Sequence, residues 1–558
     1  MCKDRCPGCC SSFSQRVKHY FQENGSELKM LLWFAGPLAI TNFMDFVPII
    51  ITAMFVGRIG KLQLDAIMLA VAYTSVFGVA VGLGLNAACD TLLSQSYGGK
   101  NLKYIGVVVQ RAILILSLAC FPCWAFYINT ENILLLCGQD KDLARETELC
   151  VLVLIPALPA FFFLQLELRY LQNQEIMWPQ ILISILASVV TALVNYLMLF
   201  VLKIGVMGGA LAITIAAIFE FILLLIYIQV KKLHVASWPG WSTECLKDWW
   251  PFLALGIPGM LIMSIEFWAY EVAMILTGLI TLVELGGQSI LFQLITLVQK
   301  IPFSVGMAAS IRVGIFLGAG ETGQAKKSAK LSMVIVALFS LLIFILLLAL
   351  KKPLGELFTT DKAIVLLVSK TMPLCAIFYV AYSPAGVFNG LLRGIGKPEI
   401  GALAFIIGYC LIVFPVAVPL MFPAKLGITG FWTGMITGFT VIDLFFCIYF
   451  WKVNWNLMTE KAQELVGLRK DLDSFQHSVD PALFEHSIDT PDDRELTNYA
   501  ALHTSSSESE LQQMDTPEVS KEDRQALKWL IIRRSLEALA VISTLLIGLI
   551  IKFTVKRH

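Results

Sequence analysis

Two carboxylates and three aromatic rings fall in the stretch Met263-Ser264-Ile265-Glu266-Phe267-Trp268-Ala269-Tyr270-Glu271, inside an apolar run long enough to cross a bilayer. An ionised acid at the centre of a spanning helix costs about 2.5–3.5 kcal/mol on insertion scales, so it is expected to face a cavity or a partner. Acids beside Phe267, Trp268 and Tyr270 suit recognition of a cation, which pairs with the carboxylate and stacks on a ring face. The plainer reading is that Glu266 and Glu271 only hold helices together by hydrogen bonds, and it weighs more for Glu271. At about 100° per residue Glu266 and Tyr270 share a face, whereas Glu271 lies about 140° away beside Phe267. One narrow cleft does not hold both acids.

The elements that must position this chemistry are transmembrane helices. The 558-residue chain is 57% hydrophobic and 15% charged, with a mean hydropathy of +0.75, which excludes a soluble protein. Its net charge of +1 and lack of a basic face argue against a nucleic-acid partner. Apolar segments lie at about 32–56, 65–90, 105–128, 150–172, 180–202, 205–230, 251–278, 284–310, 331–350, 364–391, 400–422, 427–451 and 530–551. Blocks of this length read as helices, since a barrel would show shorter alternating segments. The reading is an all-α polytopic membrane protein in a lipid bilayer.

Lys and Arg set the orientation. Loops after even-numbered segments carry Lys100, Lys103, Lys231, Lys232, Arg312, Lys326, Lys327, Lys330, Arg393 and Lys397, which places them and the N-terminus in the cytoplasm. Residues 1–30 hold no apolar stretch and read as a cytoplasmic tail; its Cys2, Cys6, Cys9 and Cys10 suit S-acylation better than zinc. Residues 231–250 read as a cytoplasmic loop, and 453–529, rich in acidic residues and in Ser, Thr and Gln, as a disordered cytoplasmic linker. Thirteen crossings would leave residues 552–558 outside the cell.

A repeat organises the apolar segments. Lys203-Ile204-Gly205 recurs as Lys425-Leu426-Gly427 at a shift of 222, and Gly57 recurs as Gly278 at 221. The chain is thus two six-helix lobes, 31–230 and 251–452, in one orientation. Parallel repeats of this kind place substrate near their interface. The same shift carries Pro37 onto Pro258 and Asp45-Phe46 onto Glu266-Phe267, so mirrored carboxylates each follow a proline that permits a bend. Glu271 and Glu284 map onto Ile50 and Gln63, which suggests that the second lobe holds more of the cation or proton chemistry.

Glu284 opens the eighth segment with Gln288 one turn on and Gln293 beyond; it is expected to line the same cavity, the alternative being an ordinary acidic helix start. Asp90, with Asn86 and Ser94, is expected to satisfy helix-end groups. Glu220 and Asp443 are candidates to face the bundle, and Asn195 and Tyr196 to line the cavity of the first lobe or, for the tyrosine, to sit at the membrane interface. The sequence holds no His-Glu-x-x-His, nucleotide-binding loop or nucleophile elbow, so neither an enzyme nor ATP-driven transport is indicated.

Several motifs together resemble the multidrug and toxin extrusion family: Gly60-Lys61-Leu62-Gln63-Leu64-Asp65, Ala88-Cys89-Asp90-Thr91-Leu92-Leu93-Ser94-Gln95-Ser96-Tyr97-Gly98, Cys120-Phe121-Pro122-Cys123-Trp124, Trp268-Ala269-Tyr270-Glu271, Val283-Glu284-Leu285-Gly286-Gly287-Gln288-Ser289 and Leu392-Arg393-Gly394. The thirteenth segment after a long linker resembles the vertebrate branch. The resemblance implies two lobes facing one another as a V, and electroneutral exchange of protons for organic cations such as quaternary ammonium compounds and cationic drugs. It also implies a plasma-membrane location, a monomer, no metal and no cofactor beyond the proton as coupling ion. The family's acids carry over onto Glu266, Glu271 and Glu284. Two departures stand out: Tyr382 where relatives carry a further acid, and Asp45 where mammalian relatives lack one. A sodium-coupled exchanger, a lipid-precursor flippase and a non-transporting receptor are the rival readings.

Overall fold

A computed structural model describes residues 7–467 and 521–555. Cys2, Cys6, the serines near Ser505 and the last three residues lie outside the described residues. Among the described residues, thirteen candidate spans emerge when one bent pair is counted as a single crossing. The first lobe holds Asn24–Val56, Lys61–Gly98, Leu102–Ile128, the pair Lys141–Leu154 and Ala157–Gln172 (bent by 51°), Trp178–Val201 and Val206–Val230. The second holds Trp249–Gly278, Leu282–Gly318, Thr322–Ala349, Lys362–Gly394, Pro398–Met421 and Ile428–Lys452. The thirteenth span is Lys528–Thr554.

The repeat is visible in the backbone. Lys203 and Lys425 take left-handed φ values of 53° and 54°, and two residues on Gly205 and Gly427 take 74° and 56°. The same turn therefore starts the sixth and twelfth spans, and glycine supplies the second positive φ at no steric cost.

Neither mirrored proline interrupts its helix. Helices run unbroken through Pro37 (Pro7–Met44) and through Pro258 (Trp249–Gly278). The first span breaks instead at Asp45-Phe46, before a second helix Val47–Val56. Pro48, in the first turn of that second helix, has no N–H to give to the carbonyl of Met44, and the Phe46 N–H closes back on Phe43 at 3.2 Å. Under the repeat, Pro48 maps onto Ala269, which lets the seventh span continue.

The lobes come into backbone contact where the second span crosses the seventh. A Cβ on Gly259 would stand 2.7 Å from the carbonyl oxygen of Gly84, so the two backbones touch only because both residues are glycine. The inter-lobe loop and the start of the expected linker both pack against the lobes. The inter-lobe loop is pinned to the third span by Gln110, whose amide donates to the Gly240 carbonyl (2.7 Å) and accepts from the Ser242 N–H (2.9 Å). Helix Trp455–Leu465, placed in the linker by composition, buries Met458, Thr459 and Ala462. It reaches Thr322 of the second lobe through the Thr459 hydroxyl (2.7 Å), and the following Val466 carbonyl accepts from Asn101 of the first (3.0 Å). The expected N-terminal tail likewise contributes Glu27, buried within the first helix.

The thirteenth span rests on the third. Asn129 donates to the Gly548 carbonyl (2.9 Å), and Lys552 donates to the Ile128 carbonyl (2.7 Å) and pairs with Glu148. Lys552 is thus a charge near the end of a span that also carries Arg533, Arg534 and Glu537 in its first turns, contrary to the reading of an uncharged helix.

Candidate functional site

A cavity of about 280 Å³ lies between the lobes. The first lobe lines it with Asn42, Asp45, Phe46, Gln165, Arg169 and Gln172, among others; the second contributes Glu266, Phe267, Tyr270, Phe292, Gln299, Lys300, Phe303 and Tyr382. Asp45 and Glu266, matched by the repeat, face the same space. The break at Asp45-Phe46 ends helix packing on the first-lobe side, and the Asp45 side chain is left accessible there.

Hydrogen bonds fix the second-lobe wall. Tyr382 is 6% exposed and donates to Glu266 Oε1 at 2.9 Å, so it positions that carboxylate. Tyr270, one turn beyond Glu266, pairs with Gln299 at 3.1 and 2.9 Å. Phe292 packs edge-on against Tyr270 with ring centroids 5.0 Å apart. The two walls are tied by Asn42, which donates to Ser304 Oγ at 2.9 Å. Acids, ring faces and amides around one space form a site for a cation with apolar bulk.

Other candidates are placed elsewhere. Glu284 accepts the N–H of Ile428 at 2.8 Å, and so stabilises the N-terminus of the twelfth span rather than lining the cavity. Gln288 is fully buried and accepts from the Trp432 indole (3.1 Å) within the second lobe, while Gln293 is exposed and outside the lining. Trp268 is 48% exposed and meets Phe77 of the second span edge-on at 5.6 Å, outside the cavity; Phe46, Phe267, Phe292 and Phe303 supply the rings there. Glu271 does not reach the lining, as its helix angle requires. Asn195 joins the fifth span to the first through Thr52 (3.0 Å), and Tyr196 is 53% exposed on the surface of the bundle. Glu220 accepts from Ser184 (2.5 Å), which joins the fifth and sixth spans. Asp443 lies in the second lobe, away from the cavity, with its Oδ1 buried.

Lys300 was not anticipated, although the rule that selects Glu266, an ionisable side chain inside an apolar segment, selects it too. Asp90 has a different role from helix-end satisfaction. Its carboxylate accepts from Arg393 Nη1 at 2.8 Å and lies 3.4 Å from Arg169 Nε, with all three side chains at most 5% exposed. Arg393 belongs to the second lobe and Arg169 to the first, so this ion cluster crosses the interface. Around it Thr91 donates to the Arg393 carbonyl (2.5 Å) and Gln95 to the Gly394 carbonyl (3.0 Å). A second cross-lobe cluster joins Arg312 to Glu27 (2.7 Å) and Glu175 (3.1 Å). Arg312 and Arg393 are therefore buried helix residues, and only the remaining Lys side chains belong to the loop-charge argument.

The MatE family model matches residues 37–197 and again 258–418, two stretches displaced by 221 residues. The chain belongs to the multidrug and toxin extrusion family. It is 47% identical over 449 residues to multidrug and toxin extrusion protein 1 of Rattus norvegicus, covering 80% of this chain and 79% of that protein. It is 42% identical to the Homo sapiens protein of the same name, over 95% of this chain and 94% of that one. Among solved structures the eukaryotic MATE transporter AtDTX14 superimposes with a TM-score of 0.76 at 29% identity, covering 79% of this chain and 99% of that one. Members of the extrusion family are transporters and not enzymes, and this member is a multi-pass membrane protein whose two lobes carry the family's paired repeat.

Proposed function

We propose that the protein is a secondary antiporter that exports organic cations and cationic drugs in exchange for protons, from the cytoplasm across the plasma membrane. The observation that supports this best is the pair Asp45 and Glu266, related by the repeat and facing one aromatic-lined cavity between the lobes. A proton and an organic cation neutralise the same carboxylate, so each displaces the other and one positive charge replaces another. Phe46, Phe267 and Phe292 would take the apolar bulk of the substrate, each cation–π contact contributing about 0.5–2 kcal/mol. The names of the relatives agree with such cargo: they are multidrug and toxin extrusion proteins.

Alternating access supplies the motion. The clusters Asp90–Arg169–Arg393 and Glu27–Arg312–Glu175 close the interface at the end that bears the Lys-rich loops, and their charges separate if the lobes part there. The cavity then exchanges the side to which it opens.

Proteoliposome uptake of labelled tetraethylammonium under opposed pH and sodium gradients tests the proposal. Uptake that follows the pH gradient and ignores sodium supports it. Uptake that follows sodium, or no counterflow at all, overturns it.

A further inference from the structure

Lys300 places a positive charge inside a cavity built for cations. It lines the same space as Asp45 and Glu266, yet among the described residues no carboxylate oxygen comes within 4.0 Å of its ammonium. The ammonium stands over the ring of Phe46, 4.9 Å from its centroid, and 5.8 Å from that of Phe303. Those faces stabilise a charge that has no ion-pair partner. The helix that carries it is held in place: Ser304, one turn on, donates to the Lys300 carbonyl (2.7 Å) and accepts from Asn42 (2.9 Å), which ties the eighth span to the first beside Asp45.

The charges decide what fits. Arg169 also lines the cavity, and it shares the single Asp90 carboxylate with Arg393, so that cluster brings no negative charge to the site. The carboxylates in the lining are Asp45 and Glu266, and Lys300 offsets one of them when all are ionised. A monovalent cation meets the carboxylate that remains; a divalent one brings a second positive charge into a poorly hydrated space, beside an ammonium that repels it.

We infer that Lys300 is a specificity-determining residue that restricts the cavity to cations bearing one charge and discriminates against dications. The inference rests on the organic-cation reading above. It is tested by comparing hexyltrimethylammonium with hexamethonium, which share a six-carbon chain but carry one and two quaternary nitrogens, as inhibitors of tetraethylammonium uptake into proteoliposomes. In the wild type hexamethonium is the weaker inhibitor. Lys300→Met brings the ratio of half-inhibitory concentrations down at least about tenfold, equivalent to about 1.4 kcal/mol, and Lys300→Arg preserves the wild-type ratio. Melting-temperature shifts of the purified protein with the two compounds give the same comparison for a variant that turns over slowly. An unchanged ratio in Lys300→Met, with tetraethylammonium still transported or bound, overturns the inference while leaving the organic-cation reading standing. Absence of tetraethylammonium uptake and binding in the wild type overturns both.

Discussion

Arg393→Met removes the cation that joins the second lobe to Asp90, and leaves Asp90 its pairing with Arg169 inside the first lobe. The variant therefore weakens the interface without stranding a buried carboxylate. The bond lost, 2.8 Å between Arg393 Nη1 and Asp90 Oδ2, is charge-assisted and buried. Hydrogen bonds to charged groups contribute about 1.5–3 kcal/mol, and at about 1.4 kcal/mol per decade the closed arrangement loses about 10- to 150-fold in relative population. A minority open at this end in about 1% of molecules would rise to between about 9% and 60%. Nitroxide labels in place of the exposed Lys100 and Lys326, one on each lobe at this end, read the change as a distance distribution. The expected result is a second, longer component in Arg393→Met. A distribution identical to that of the wild type, in a variant of normal thermal stability, refutes the assignment of this cluster as the contact that holds the lobes together here.

Tyr382→Phe deletes the hydroxyl that holds Glu266 Oε1 and is expected to weaken tetraethylammonium half-saturation about tenfold, the lower end of what such a bond contributes; unchanged half-saturation contradicts the positioning role. Glu284→Ala removes the acceptor at the start of the twelfth span and is expected to lower unfolding stability by about 1–2 kcal/mol, seen as a fall in melting temperature, with half-saturation untouched. A large change in substrate affinity with unaltered melting contradicts that placement.

Much of the architecture was legible because the bilayer imposes it. Long apolar blocks form helices wherever they occur, and the repeat is written in residues such as Lys203, Lys425, Gly205 and Gly427 that the backbone turn requires. The mirrored pair Asp45 and Glu266 was legible for the same reason, since equivalent positions in related lobes meet at the interface. What escaped depends on partners far apart in sequence. Asp90 and Arg393 are separated by 303 residues, and nothing local to Asp90 distinguishes an acid in a cross-lobe ion pair from one at a helix end. Glu284 has the composition of a cavity residue and the position of a helix cap for the twelfth span, a distinction that only packing makes. The break at Asp45 came from Pro48, not Pro37, because the stretch around Asp45 runs straight into a second helix whose first turn contains the proline. Helix Trp455–Leu465 is polar enough to read as linker, yet three small or flexible side chains suffice to dock it on the lobes.

Proton-driven tetraethylammonium uptake by Glu266→Gln, compared with the wild type in proteoliposomes of matched protein content, tests the central claim most directly. The substitution keeps size and hydrogen-bonding capacity but removes the exchangeable proton and the charge. Exchange at the cavity carboxylate requires that pH-driven uptake be lost while the protein retains its fold and melting temperature. Uptake at the wild-type rate with an unaltered response to the pH gradient would contradict it.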